Sequence, residues 1–285
     1  MPVPEQDDIE EIETNLFLEA IFQRYGYDFR HYARASVKRR VQRLLEISGC
    51  TQISEMIPRL LHDEDFSQTA IQGFSIAVTE MFRDPDFYRA FRQQVVPYLK
   101  TYPYIRVWHA GCAMGEEVYS LAIVLQEEGL YERSTIFATD FNDAVLDKAR
   151  EGIYTLKDMR QYSLNYLSAG GTRSFADYYH AKYELAIMDP SLKRRITFAS
   201  HNLATDGVFS ELQVIFCRNV LIYFDKDLQK RVLGLFAASL APGGFLCLGS
   251  KESLQYSDMI DQFKTIDERA SIYQKRIKRQ THDLA

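Results

Sequence analysis

The 285-residue chain has few cysteines, and their spacing argues against a cysteine-based metal site. The four cysteines, at positions 50, 112, 217 and 247, form no paired-ligand spacing. Cys217 and Cys247 lie inside apolar runs, where a free cysteine behaves as a small hydrophobic residue. We therefore expect a reducing compartment, the cytoplasm.

The chain also lacks long apolar runs, a basic N-terminus and an excess of positive charge. No apolar run approaches the ~20 residues that cross a bilayer, and residues 1–14 are acidic where a secretory signal peptide is basic and then apolar. With 34 Lys and Arg against 39 Asp and Glu, the net charge of −5 argues against attachment to bulk nucleic acid by overall charge. A hydrophobic share of 46% excludes a disordered chain.

What the sequence does contain is two patterns, which predict two domains. Residues 1–85 hold no convincing strand, and Ile9, Ile12 and Leu16 recur there near helical spacing, so we expect a helical N-terminal domain of about four short helices. Residues 86–285 alternate strand-like and helix-like segments, which is typical of a parallel sheet covered on both faces. These segments are Tyr104–Ala110, Glu116–Glu128, Ser134–Asp140, Leu212–Cys217, Lys226–Leu240 and Phe245–Gly249.

Two stretches interrupt that alternation. Tyr183–Met188 and Arg195–Ser200 predict a hairpin about Asp189-Pro190, and hence a small antiparallel subdomain inserted around residues 155–200. Pro242-Gly243-Gly244 predicts a turn that returns the chain to the sheet.

The first loop of the predicted sheet is a candidate nucleotide site, because ligands bind beyond the carboxyl ends of parallel strands. The loop runs from Gly111 to Gly115, and the next helix opens with Glu116 and Glu117. These carboxylates would repel a pyrophosphate and suit a cationic ligand such as a sulfonium; alternatively, they only favour the helix dipole. Asp140 ends the second strand, where an acid usually binds a ribose diol; a helix-capping aspartate is the alternative. Together these residues favour S-adenosylmethionine over NAD.

Four motifs resemble the CheR family of chemotaxis receptor methyltransferases. They are Thr79–Pro85, Gly115–Ser120, Ala138–Asp140 and Phe216–Phe224, with support from Ala241–Leu246 and from Lys38-Arg39-Arg40. The resemblance spans nearly the whole chain. It implies a Rossmann-like class I S-adenosylmethionine-dependent methyltransferase domain, an all-helical N-terminal domain and a small inserted antiparallel β-subdomain. It also implies methyl transfer from S-adenosylmethionine to glutamate side chains of receptor helices, with S-adenosylhomocysteine as product.

The resemblance, together with the loop, assigns functional residues. The predicted cofactor-binding residues are Ala77, Thr79, Arg83, Gly111, Glu116 or Glu117, Asp140, Asn202, Leu203, Asn219 and Val220. Arg83 and Tyr223 match positions near the transferred methyl and are the predicted catalytic residues. Alternatively, Arg83 caps a helix or pairs with Asp84, and Tyr223 only fills the sheet edge. The family usually has asparagine where this chain has Ala77, so one hydrogen bond to the cofactor is expected to be missing or replaced.

The implied reaction needs little acid–base machinery. A glutamate carboxylate, with a pKa near ~4.3, is ionised at neutral pH and needs no general base to attack a sulfonium methyl. The sequence offers no obvious Ser/His/Asp or Cys/His arrangement. Its six histidines have no metal-ligand spacing, so no metal is expected. Alignment of nucleophile, methyl and leaving sulfur is expected to supply the rate.

A basic stripe is expected on one helix of the N-terminal domain. Arg30, Arg34 and Lys38 are four apart, as are Arg39 and Arg43, and no acidic residue lies between positions 30 and 43. The stripe is either a solvated face or a docking face for a glutamate-rich receptor helix. On the second interpretation, the substrate-binding residues are Arg34, Lys38, Arg39 and Arg43. Nucleic acid is a competing partner, although the stripe is short and has little aromatic interleaving.

We therefore expect a monomeric, cytoplasmic protein-glutamate O-methyltransferase that acts on the cytoplasmic helices of chemoreceptors, without nucleic acid or membrane insertion. Three alternatives stay open: a non-catalytic module that senses S-adenosylmethionine, supported by Ala77; a methyltransferase of nucleic acid or small molecules; and an NAD oxidoreductase. The sequence does not decide whether the β-subdomain tethers a receptor peptide by adding a strand.

Overall fold

The computed structural model describes residues 6–75, 79–209, 211–255 and 257–277. Its backbone divides into two compact units. The first contains the described residues up to 75 together with residues 222–229, and the second contains the rest. The described residues 79–85 therefore group with the second unit.

Four helices form most of the first unit, which confirms the predicted helical N-terminal domain. They are α1 (Gln6–Tyr25), α2 (Arg34–Ser48), α3 (Met56–His62) and α4 (Glu64–Phe74). Gly49 ends α2 in the left-handed conformation, which glycine adopts without strain. Asp63 caps α4 by accepting the Phe66 N–H at 3.0 Å.

Helix α1 buries a face other than the one its apolar spacing suggests. Phe17 and Ile21 are fully buried, whereas Ile9, Ile12 and Leu16 are 43–54% exposed. The spacing predicted a helix correctly, but α1 carries apolar residues on two faces. Only tertiary packing decides which face is covered.

Residues 222–229 are a distant stretch of sequence within this helical unit. Ala33 N–H donates to Tyr223 C=O, and Asp225 N–H donates to His31 C=O, both at 2.8 Å. The Phe224 ring lies 5.1 Å from that of Tyr32. The unit is therefore built from two separate pieces of chain.

The second unit consists of strands and the remaining helices. Its strands are β1 (Ile105–Ala110), β2 (Ser134–Asp140), β3 (Ile153–Thr155), β4 (Tyr179–Lys182), β5 (Leu185–Met188), β6 (Ile196–Ser200), β7 (Leu212–Cys217), β8 (Leu240–Leu248), β9 (Phe263–Asp267) and β10 (Ile272–Lys275). Its helices are α5 (Pro85–Ala90), joined by a π-helical turn at Phe91–Val95 to α6 (Val96–Leu99), then α7 (Glu116–Glu127), α8 (Asp143–Glu151), α9 (Leu156–Ser168) and α10 (Lys226–Ser239), whose first turn belongs to residues 222–229.

Seven strands form the main sheet, in the order β6-β2-β1-β7-β8-β10-β9. The first five strands in this order, β6, β2, β1, β7 and β8, are parallel to one another. Strand β10 runs antiparallel to both β8 and β9. The first five strands follow the 3-2-1-4-5 order of a Rossmann-like sheet. Helix α7 is buried on all sides from Glu116 to Leu125, so it lies in the core of the unit. The predicted Rossmann-like α/β fold is confirmed.

A second sheet of three antiparallel strands, β3-β5-β4, confirms the small inserted subdomain. The predicted hairpin about Asp189-Pro190 is wrong, because β5 belongs to this small sheet and β6 pairs with β2 in the main sheet. Between them, Pro190–Lys193 forms a 3-10 helix whose start is capped by Asp189. Local pattern cannot tell which sheet a strand joins, since that depends on partners distant in sequence.

The predicted turn at Pro242-Gly243-Gly244 is also corrected. These residues lie inside β8, where the pairing with β7 jumps from Leu212–Leu240 to Val214–Phe245. The three residues are accommodated as an irregularity within the strand, a position that tolerates proline and glycine.

Candidate functional site

The predicted binding residues gather at one edge of the main sheet, where four neighbouring parallel strands end. Gly111 follows β1, Asp140 ends β2, Asn202 lies just beyond β6, and Asn219 lies just beyond β7. Strand order reverses between β1 and β7, and a ligand crevice usually forms at such a reversal. The topology thus brings residues that are distant in sequence to the expected position of a ligand.

Backbone hydrogen bonds join the loops at this edge. The N–H groups of Gly111 and Cys112 donate to Thr139 C=O at 2.8 and 2.9 Å. His201 N–H donates to Asp140 C=O at 3.0 Å. The loops after β1, β2 and β6 therefore share one hydrogen-bonded network.

Gly111 needs to be glycine for two reasons. Its φ angle is +75°, and a Cβ built on it would lie 2.6 Å from Cγ2 of Val220. This close approach brings the predicted Asn219-Val220 pair directly against the glycine loop. Gly115, with φ of +88°, starts α7 and is similarly crowded by Ala149.

The Asp140 carboxylate is buried and held in place by backbone donors. Its Oδ2 accepts the Ala113 N–H at 3.0 Å, and its Oδ1 accepts the Asn142 N–H at 3.1 Å. Burial raises the pKa of Asp140, and these N–H groups oppose that rise. The cap of α8 is Asn142, which accepts the Ala144 N–H, so helix capping does not account for Asp140. Each carboxylate oxygen retains a lone pair for a ligand hydroxyl.

The two glutamates at the start of α7 have different surroundings. Glu117 forms an ion pair with buried Arg218, and its carboxylate lies 3.3 Å from His109 Nε2. Burial alone would raise the pKa of Glu117, but the Arg218 charge and the neighbouring His109 outweigh it and lower this pKa to about 2. Glu117 is therefore an ionised partner within the protein.

The Glu116 carboxylate differs from that of Glu117 in that one of its oxygens, Oε2, has no partner among the described residues. The residue is 1% exposed, and among the described residues its Oε2 accepts no hydrogen bond. Burial, with a smaller contribution from Asp158, raises the pKa of Glu116 to about 7. An unpaired buried carboxylate is unfavourable, and a cationic ligand would relieve it. Of the two glutamates, Glu116 is the better candidate for a cofactor contact.

Arg83 lies in a strained segment just before α5. Its neighbours Phe82 and Asp84 both have positive φ angles, 55° and 54°, which are uncommon for residues other than glycine. Asp84 accepts a hydrogen bond at 2.7 Å from Arg218, so the alternative pairing of Arg83 with Asp84 is not formed. Among the described residues, the Arg83 side chain makes no hydrogen bond or ion pair and is available to a ligand.

Asn219 also has a positive φ angle, 60°, and its backbone is held by a residue that sequence reasoning missed. Buried Glu252 accepts the N–H groups of Asn219 at 2.9 Å and Gly249 at 2.7 Å. Glu252 thus ties the loop after β7 to the loop after β8. The available signal was an acidic residue three positions after the glycine that follows a buried strand.

The predicted Asn202-Leu203 pair forms the start of the loop after β6. The Asn202 side chain accepts the Ala204 N–H at 2.9 Å, and the Asn202 backbone N–H donates to the Asp206 carboxylate at 2.9 Å. Leu203 is buried. The pair is therefore held in a turn next to Asp140.

Three other predicted residues have less structural support. Ala77 lies outside the described residues, and Thr79 is half-buried just after that gap. Tyr223 belongs to residues 222–229 of the helical unit, where its ring lies 5.4 Å from the Arg40 guanidinium. Its catalytic assignment stays a prediction.

The basic stripe is divided by its ion pairs. Arg30, Arg34 and Lys38 pair with acids of α1 and its following turn, namely Glu10, Glu11, Glu19 and Asp28. Arg39 and Arg43 are exposed and form no ion pair among the described residues. Of the predicted substrate-binding residues, Arg39 and Arg43 are therefore the two whose charge is not already paired.

No group of three or more His, Cys, Asp or Glu residues within residues 6–75, 79–209, 211–255 and 257–277 is arranged to hold a metal ion. In those same ranges, no helix has the length and apolar character needed to span a membrane.

Two family models match consecutive parts of the chain. The model described as "CheR methyltransferase, all-alpha domain" matches residues 12–75, and "CheR methyltransferase, SAM binding domain" matches residues 77–272. The chain belongs to the CheR methyltransferase family. The predicted family and cofactor, S-adenosylmethionine, are confirmed at this level.

Curated relatives of this CheR chain match it over most of its length. The Cher3 protein of Pseudomonas putida is 53% identical over 265 residues, which cover 93% of this chain and 97% of that protein. A protein named chemotaxis protein methyltransferase from Salmonella typhimurium is 30% identical, covering 85% of this chain and 83% of its own. A protein of the same name from Listeria monocytogenes is 29% identical, covering 84% and 88%.

The residues at the sheet edge fit S-adenosylmethionine. The Glu116 oxygen that no described residue binds suits a cationic group, and the fixed Asp140 carboxylate suits a ribose diol. Gly111 lets the loop turn with a positive φ angle and pack directly against Val220. When bound, this cofactor supplies an activated methyl on a sulfonium.

Proposed function

We propose that this CheR chain transfers the methyl group of S-adenosylmethionine to glutamate carboxylates of chemoreceptor-type proteins, in chemotaxis or a related sensory pathway. The names of the Salmonella and Listeria relatives support a chemotaxis protein as substrate. A cytoplasmic location follows from that substrate. The main support for the cofactor is the buried Glu116 oxygen beside the glycine loop, which has no hydrogen-bond partner within the described ranges.

In this proposal, each residue at the sheet edge binds or orients. Asp140 accepts hydrogen bonds from the ribose, and ionised Glu116 faces the cationic part of the cofactor. Arg83, whose side chain has no partner in the part of the chain that the structure describes, offers a fork of donors to the substrate carboxylate and aligns it with the methyl. Because the substrate carboxylate is already ionised, no residue needs to remove a proton. The role of Tyr223 as a hydrogen-bond donor near the methyl rests on the resemblance alone.

Exposed Arg39 and Arg43 support a docking role for α2. A glutamate-rich receptor helix has the complementary charge, and complementary fields raise the encounter rate. These two arginines are a short patch, so we assign them to orientation of the substrate and not to most of its affinity.

Two measurements test the proposal in sequence. Calorimetry with S-adenosylhomocysteine should show binding that Asp140→Ala weakens. Tritium transfer from labelled S-adenosylmethionine to the cytoplasmic fragment of a chemoreceptor should follow, and mild alkali should release the label as methanol, as expected of an ester. A fragment whose target glutamates are replaced by glutamine is the control. Label that survives alkali would reject glutamate as the acceptor; tight cofactor binding without transfer would favour a sensing module.

A further inference from the structure

Buried Arg218 contacts the backbone of Arg83 and several segments around it. Its Nη2 donates to Asp84 at 2.7 Å, its Nη1 donates to Glu117 and lies 3.4 Å from Arg83 C=O, and its Nε lies 3.3 Å from Leu248 C=O. The side chain is 1% exposed, so Arg218 joins these segments from inside the protein.

Two other side chains, Asn165 and Ser120, hold the backbone of the residues just before Arg83. Met81 C=O accepts a hydrogen bond at 3.0 Å from the Asn165 side chain, and Phe82 N–H donates to Ser120 Oγ at 2.9 Å. The guanidinium of Arg218 lies 4.1 Å from the centroid of the Phe87 ring, on the first helix after the segment. A left-handed conformation at two non-glycine residues that flank a single position persists only where the surroundings enforce it.

We infer that Arg218 is a positioning residue: it holds residues 81–84 in the conformation that presents Arg83 to the cofactor edge. The inference rests on the proposed function for its effect on ligand binding. Its structural half, the conformation of residues 81–84, can be measured without any ligand. The Arg218 guanidinium is already bonded to Asp84, Glu117 and the carbonyls of Arg83 and Leu248, so it acts through these groups and not by touching the ligand.

Three variants and one control isolate this role. Arg218→Gln removes the charge, Arg218→Lys keeps it without the planar fork, and Asp84→Asn breaks one link at a half-exposed carboxylate while leaving the Arg218–Glu117 pair intact. The matched control is Arg92→Gln, which breaks the ion pair between Arg92 and buried Glu127 elsewhere in the same unit. Asp84→Asn keeps the inference testable if the Arg218 variants fail to fold.

Two measurements are made on each folded variant. Hydrogen exchange of the Phe82 amide, in protein without ligand, should speed up by about tenfold or more in Arg218→Gln and Asp84→Asn but not in Arg92→Gln. Calorimetry should show S-adenosylhomocysteine affinity weakened by about tenfold in the same two variants, less in Arg218→Lys, and unchanged in the control. The double variant Arg218→Gln/Asp84→Asn should bind S-adenosylhomocysteine no more weakly than Arg218→Gln alone, because both substitutions break the same link.

Two outcomes would overturn the inference. In one, Phe82 exchange is unchanged in Arg218→Gln and Asp84→Asn; in the other, exchange is faster but ligand affinity is the same as in the control. If the unmodified protein does not bind S-adenosylhomocysteine, the proposed function fails, and the exchange measurement alone then decides whether Arg218 positions the segment.

Discussion

Replacing Glu116 by glutamine should change how stability depends on pH. Glutamine keeps the shape of the side chain and removes its charge. The pKa of Glu116 is raised from 4.5 to about 7 by burial and by Asp158. Between these two values the folded protein holds a proton that the unfolded chain has released. Stability therefore falls as pH rises from 4.5 to about 7.

The size of this stability change follows from the difference between the two pKa values of Glu116, 4.5 and about 7. At about 1.4 kcal/mol per pH unit, ionised Glu116 lowers the free energy of unfolding by roughly 3 kcal/mol above pH 7. Part of this destabilisation is already present at pH 5. The difference in unfolding free energy between wild type and Glu116→Gln should therefore change by about 2–3 kcal/mol between pH 5 and pH 8. The stability that Glu117 contributes is lost only as pH falls below 4.5 towards about 2, outside this window.

Urea denaturation of both proteins without ligand, at pH 5 and at pH 8, measures this change. Any effect of the amide that does not depend on pH cancels between the two conditions. Binding of S-adenosylmethionine near pH 7 should release protons from wild type, detected by calorimetry in buffers of different ionisation enthalpy, and glutamine at this position should abolish that release. If the stability difference is the same at both pH values, Glu116 is not an unpaired buried acid and the reasoning fails.

Three further predictions concern the other residues of the site. Asp140→Ala should weaken S-adenosylhomocysteine binding by about 1–3 kcal/mol, because the loop N–H groups and the ribose lose a buried partner; unchanged affinity in calorimetry would contradict the assignment of Asp140. Charge reversal at Arg39 and Arg43 should slow receptor methylation at low salt more than reversal at the paired Arg34 and Lys38, with both effects fading as salt rises; equal effects of the two double variants would show that existing ion pairs do not matter. Tyr223→Phe should lower turnover while leaving the melting temperature and cofactor affinity nearly unchanged; wild-type turnover would leave Tyr223 with no catalytic role.

The sequence predicted those parts of the fold that depend on local pattern. Strands β1, β2 and β7 and helix α7 lie where apolar runs and glycines indicate them. The partner of β6 was not predictable, because its edge position depends on pairing with β2, some 60 residues earlier in the chain. The exposed face of α1 was missed for the same reason, since apolar residues on two helix faces look alike in sequence.

At the site, the glycine loop and Asp140 could be predicted from position, because parallel strands end at a common edge. The different environments of Glu116 and Glu117 could not, since adjacent residues on a helix point about 100° apart and only the fold puts Arg218 beside one of them. Arg218 and Glu252 lie in the loops after β7 and β8, but their partners come from distant segments. Spacing along the chain does not show which distant segments such side chains join.

The two-piece construction of the helical unit limits how this protein can be cut or recombined. Residues 222–229 complete a unit whose other residues end 146 positions earlier, so a chain starting at residue 77 would leave Phe224 and Tyr223 without Tyr32 and Ala33. Exchanging the unit between homologues would require three junctions, after residues 76, 221 and 229, two of them within a stretch of eight residues. One of those junctions falls inside the Phe216–Phe224 motif and another inside α10. Gene fusion at a single point therefore cannot replace the helical unit, because residues 77–221 separate its two pieces along the chain.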